Sequence, residues 1–88
     1  MGDYFGNSIF IYPNPTTSKI NLDITNEYKG DVLIKLYNVN GQLYFEENSK
    51  MTNDGLLKQI DVSNYNRGIY FVELQFNNKK EVRKLIIE

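Results

Sequence analysis

The apolar residues of this chain recur at every second position, in short runs, almost from one end to the other. Residues 19–25 alternate Ile20, Leu22 and Ile24 with Asn21, Asp23 and Thr25. Residues 31–39 place Val32, Ile34 and Leu36 on one face, and residues 68–76 do the same with Tyr70, Val72, Leu74 and Phe76. A period of two is that of a strand with one face in a core and the other in water. Residues 8–12, 42–47, 56–62 and 81–88 read as four further strands, with 56–62 the weakest in alternation. No stretch of ten or more residues carries a helical period. Only "DVSNYN" (61–66) could close a single helical turn, capped by Asp61 or Ser63.

The connections carry turn chemistry. Asn, Asp and Gly gather in residues 26–31, 38–42, 52–55, 64–68 and 77–80, where they tolerate positive φ or bond to their own backbone. Asn40-Gly41 is the strongest signal and suggests a two-residue type I′ hairpin. Residues 48–55 read as the longest polar loop. Seven short strands with turns every 8–12 residues predict an all-β fold, an immunoglobulin-like antiparallel β-sandwich, with a small barrel as the alternative. The inward faces should include Ile20, Leu22, Ile34, Leu36, Val72 and Leu74. "NYNRGIYFV" supports the sandwich. Tyr70 follows Gly68 at the start of the sixth strand, where such folds bond a tyrosine hydroxyl back to upstream backbone. Tyr65 is placed to plug the space beneath it, and Gly68 should hold a backbone conformation costly for other residues.

Composition closes off most chemistry. With 88 residues the chain is one domain with a thin core. Its 41% hydrophobic content supports a folded core. The longest apolar runs, "IFIY" and "IYFV", are far shorter than the ~20 residues of a membrane helix. No signal peptide pattern opens the chain, so residues 1–8 read as a linker or trimmed remnant before a domain at 9–88. Ten basic and eleven acidic residues give a net charge of -1, which offers no field for nucleic acid. There is no cysteine and no histidine, so disulfides, thiol or histidine-based nucleophiles and the usual zinc sites are excluded. A glycosidase pair needs two acids in an apolar cleft, but most acids here lie in loops or on polar strand faces, and Glu46 and Glu47 point to opposite faces if they lie in a strand. "TNDG" reads as a solvated turn rather than a calcium loop. No serine sits in a nucleophile elbow. Lys79, Lys80, Arg83 and Lys84 form the one local basic excess, read as a solvated final hairpin. Neither a catalytic residue nor a cofactor or metal site is expected.

Pro13 and Pro15 are the only prolines. Without backbone N–H groups they cannot serve a central strand. They should end the first strand and run along a sheet edge where the chain enters the domain.

Three motifs in order, "YPNPT" (12–16), "IKLYNVNGQLY" (34–44) and "IDVSNYNRGIYFVEL…KKEVRKLIIE" (60–88), resemble the type A C-terminal sorting domain of the Bacteroidetes type IX secretion system. The resemblance covers residues 9–88. Two details depart from the family: Tyr65 stands where leucine is commoner, and "TTSK" lacks the glycine common after the second proline. The resemblance implies a non-enzymatic secretion signal on a cargo protein lying N-terminal to this segment. Such a signal is carried through the periplasm and across the outer membrane by the type IX translocon. A sortase-like peptidase then removes it, here by a cut before Ile9, and the cargo is attached at the cell surface or released. The implied motif and recognition residues are Pro13, Asn14, Pro15, Gly41, Gly68, Tyr70, Lys84, Leu85, Ile86 and Ile87. In "KLII", Leu85 and Ile87 share one face and Lys84 and Ile86 the other, on an edge strand whose open backbone would template strand addition. Two other classes fit the residues. One is a carbohydrate-binding module of a secreted protein, which would show a coplanar aromatic row drawn from Tyr4, Tyr28, Tyr37 or Tyr44. The other is an adhesion or spacer module.

Overall fold

The computed structural model describes residues 9–25, 29–52, 55–76 and 79–88. Seven strands follow in chain order: β1 (Ile9–Tyr12), β2 (Lys19–Ile24), β3 (Gly30–Asn38), β4 (Leu43–Met51), β5 (Leu56–Asp61), β6 (Gly68–Phe76) and β7 (Lys79–Ile87). They form two antiparallel sheets, β1-β2-β5 and β4-β3-β6-β7. This is the expected sandwich, with the fourth strand joined to the larger sheet. The described residues contain no helix.

The period-two residues build the core. Ile20, Leu22, Ile24, Val32, Ile34, Leu36, Val72, Leu74 and Leu85 are wholly inaccessible, and Phe76, Ile60 and Ile87 nearly so. The partners in register are Ile34 with Leu74 and Leu36 with Val72 across β3 and β6, and Tyr70 with Leu85 across β6 and β7. Each such side chain removed from water contributes about 1.5–3 kcal/mol, offset by the entropy of ordering the chain.

Three local expectations are corrected. Residues 48–51 are not loop but the end of β4. Its inward face carries Phe45, Glu47, Ser49 and Met51 opposite Leu36, Ile34, Val32 and Gly30, so polar residues break the apolar alternation. Glu47 is tolerated there because Lys58, inward-facing on the edge strand of the other sheet, donates to it at 2.5 Å. The pair closes one side of the sandwich, and the Lys58 ammonium beside Glu47 holds its carboxyl below the usual value. The Asn40-Gly41 turn is a three-residue loop rather than a two-residue one. Asn38 N–H donates to Gln42 O and Gly41 N–H to Asn38 O, both at 3.0 Å, and Gly41 takes φ +84°. Residues 61–66 form a turn, not a helix. Tyr65 N–H donates to Val62 O at 3.0 Å, and Asp61 accepts from Ser63 N–H at 2.9 Å.

A bulge separates Leu36, paired with Phe45, from Tyr37, paired with Leu43. Tyr44 is the extra residue, so Tyr44 and Phe45, though adjacent, both pack against the core.

Candidate recognition site at the terminal edge

β7 is the outer strand of the larger sheet, and its last residues are not bare. Asn14 Nδ2 donates to Lys84 O at 2.9 Å, and Ile86 N–H donates to Asn14 Oδ1 at 3.0 Å. Two residues on, Thr16 N–H donates to Ile86 O at 3.0 Å and Glu88 N–H to Thr16 O at 2.8 Å. Thr16 thus forms a parallel bridge beside Ile87. The side-chain carboxamide of Asn14 imitates a peptide group, donating and accepting where a neighbouring strand would. The flanking prolines lack N–H groups, so the segment pairs through Asn14's side chain and Thr16's backbone. Both Tyr12-Pro13 and Asn14-Pro15 bonds are cis. The expectation of an open edge at residues 84–88 is therefore corrected: the chain's own "PNPT" covers it.

Nothing in its residue type marks Thr16 as part of a site. It is 3% exposed. Its hydroxyl donates to Lys19 O at 2.7 Å and accepts from Ser18 N–H at 3.3 Å, which turns the segment into β2. A threonine closing a proline motif ahead of a strand is the only sequence trace of this role.

The predicted residues fall into two groups. Asn14, between Pro13 and Pro15, meets Lys84 and Ile86 although 70 and 72 positions of chain separate them. Gly68 and Tyr70 lie beside them on β6, opposite Ile87 and Leu85. Leu85 and Ile87 are in the core, Lys84 is exposed, and Ile86 is half-buried on the outer face. Gly41 stays apart in the β3–β4 loop, with open space around it.

Tyr70 makes the corner. Its hydroxyl donates to Asn66 O at 2.7 Å. Gly68, at φ +150°, starts β6 in a conformation that other residues rarely adopt. Tyr44 meets Tyr70 edge-on at 5.2 Å, and Tyr65 lies 4.9 Å from Tyr44 and 5.7 Å from Tyr70. Burial, reinforced by its tyrosine neighbours, pushes the Tyr70 hydroxyl pKa up. On the outer face of the larger sheet, Tyr37 and Phe71 are tilted 37° to each other. Tyr44 is turned inward, and Tyr4 and Tyr28 lie outside the described residues.

Among the described residues no three acidic side chains gather as metal ligands, and no helix is long and apolar enough to cross a membrane. Beside the covered edge runs a groove of about 360 Å³ between β1 and β7, lined by Ile9–Tyr12, Asn14, Arg83 and Lys84. The site offers backbone, basic side chains and apolar surface.

A family model described as the secretion system C-terminal sorting domain matches residues 10–88. No curated protein matches the chain.

Proposed function

The chain belongs to the secretion system C-terminal sorting domains, and we propose that β7, with the "PNPT" segment laced to it, is the part the type IX machinery reads. The family match over residues 10–88 carries the reading. The domain is a sorting signal for type IX secretion, borne by a cargo protein that is exported.

The domain is handed from the periplasm to the translocon through β7, and a sortase-like peptidase then removes it ahead of Ile9. The described strands start at Ile9, so a cut before it leaves every described strand pairing intact. Leu85 and Ile87 are 0% and 3% exposed, which leaves Lys84 and Ile86 as the side chains of "KLII" that a partner can touch without unfolding the domain.

The test fuses the domain to a reporter with a signal peptide in a host with type IX secretion. The intact domain should bring the reporter to the surface or medium. Removal of residues 84–88 should leave it in the periplasm. Because that truncation takes two core side chains from a thin sandwich, the pair Lys84→Glu and Ile86→Ser serves as the folded counterpart, checked by thermal melting. Equal secretion of the intact, truncated and substituted fusions would refute a role for the terminal strand.

A further inference from the structure

The covering of β7 stops halfway. Lys84 O, Ile86 N–H, Ile86 O and Glu88 N–H point outward and are taken by Asn14 and Thr16. By the alternation of an antiparallel pair, the backbone groups of Lys80 and Val82 and the N–H of Lys84 point the same way. Of these, Val82 O accepts from Arg83 Nη1 at 3.1 Å. Lys80 N–H, Lys80 O, Val82 N–H and Lys84 N–H have no partner among the described residues. The chain cannot extend its own cover upward, because before Asn14 comes Pro13, and Tyr12 already belongs to β1 in the other sheet.

The surroundings select a partner. The groove between β1 and β7 runs from the covering Asn14 to the Arg83–Lys84 end of the open half. Phe10 and Tyr12 in that groove are 51% and 46% exposed, and Val82 on β7 itself is 42% exposed, which is costly apolar surface for a small domain. Lys79, Lys80, Arg83 and Lys84 make β7 basic, and its one acid, Glu81, is held by Arg83 at 3.0 Å.

We propose that the open half of the β7 edge, Lys80–Lys84, docks an extended acidic peptide segment, which adds there as an eighth strand and lays its apolar side chains into the β1–β7 groove. The open backbone groups supply the pairing, the basic side chains select sign, and the covered half fixes where the added strand ends. That this segment belongs to the export machinery rests on the sorting reading above.

The probe is a fluorescent seven-residue peptide, Thr-Glu-Val-Glu-Val-Glu-Thr, titrated into the purified 88-residue chain by anisotropy and by amide shifts. Saturable binding is expected, with the shifts concentrated at Lys80, Val82 and Lys84. The same peptide N-methylated on alternate backbone nitrogens keeps its charges but cannot pair, and should bind about tenfold more weakly or worse. Replacing its glutamates by lysine should abolish binding. Val82→Pro removes an outward N–H without touching the β6 ladder, and should weaken binding about as much as methylation. No saturable binding, or equal binding of the methylated peptide to the unaltered domain, overturns the proposal. In the secretion assay, periplasmic retention of Val82→Pro beside secretion of the unaltered domain supports it. Secretion of both leaves the sorting reading standing and removes this edge from export. Secretion of neither counts against the sorting reading, and the titration alone then decides the docking.

Discussion

Asn14 and Ile86 lie 72 positions apart in the chain and share a 3.0 Å hydrogen bond in which a side-chain amide stands in for a strand. With the bond from Asn14 Nδ2 to Lys84 O, it joins the first turn of the domain to its last strand. The prolines on either side shape the segment so that one carboxamide can reach both backbone groups.

Removing that carboxamide should loosen the end of β7 before it unfolds the domain. Asn14→Ala is expected to cost about 1 kcal/mol, since both bonds are exposed to competing water. The sharper signature is local: the Ile86 amide should exchange with deuterium faster, while the Val72 and Leu74 amides in mid-sheet keep their protection. Unchanged exchange at Ile86 would show that Asn14 does not hold the edge.

The tyrosine corner can be broken from either side. Tyr70→Phe removes the 2.7 Å bond to Asn66 O and should cost about 1 kcal/mol. Gly68→Val forces a branched side chain to φ +150° and should cost about 1–3 kcal/mol although there is room for it. Gly55→Ala should be the worst of the three at about 2–4 kcal/mol, because it combines φ +83° with a Cβ that would stand 2.5 Å from Ile24 O. Thermal melts of the three variants test the order; a stable Gly68→Val would remove the backbone argument for the corner.

The pH dependence follows from two kinds of group. Glu47 has its pKa lowered, mainly by its hydrogen bond from Lys58. A depressed carboxyl contributes stability that is present above its unfolded pKa, near 4.3, and lost as pH falls through the lower folded value. The pair is partly exposed, so the effect is modest. Asp61, lowered first by its side-chain bond with Ser63, acts in the same window. At the alkaline end Tyr65 and Tyr70 are raised, first by burial. Their contribution is intact below the unfolded tyrosine pKa, near 10, and is lost as pH rises through the higher folded values. Urea midpoints should therefore drop below about pH 4 and above about pH 10. Lys58→Met should shrink the acid limb and leave the alkaline one alone; an unchanged acid limb would show the ion pair to be without effect on folding.

The sandwich was legible because β2, β3 and β6 bury one face and wet the other, which writes Ile20, Leu22, Ile34, Leu36, Val72 and Leu74 into a period of two. The end of β4 was not, because an edge strand that turns Glu47 and Ser49 inward has no such period, and Lys58, which makes this tolerable, comes from another sheet. The bulge at Tyr44 is invisible for a related reason: alternation assigns Tyr44 and Phe45 opposite faces, and only the register break lets both pack inward. At the terminal edge the parts were legible and their meeting was not. Pro13 and Pro15 announce an edge, and residues 84–87 announce a terminal strand. Nothing local says that Asn14 and Thr16 close the one upon the other.

Strand direction gives the same lacing a mechanical meaning. Ile9 pairs with Ile24 at one end of the sandwich, whereas Ile87 pairs with Gly68 at the other, so the two ends of the described chain leave from opposite poles. Tension between them runs along the strands. It loads the β1–β2 and β6–β7 ladders in shear, where many hydrogen bonds share the force, rather than peeling them one by one. The contacts of Asn14 and Thr16 with β7 join the two force-bearing sheets. A pull transmitted through upstream chain therefore meets the whole length of the domain before it can free the last strand.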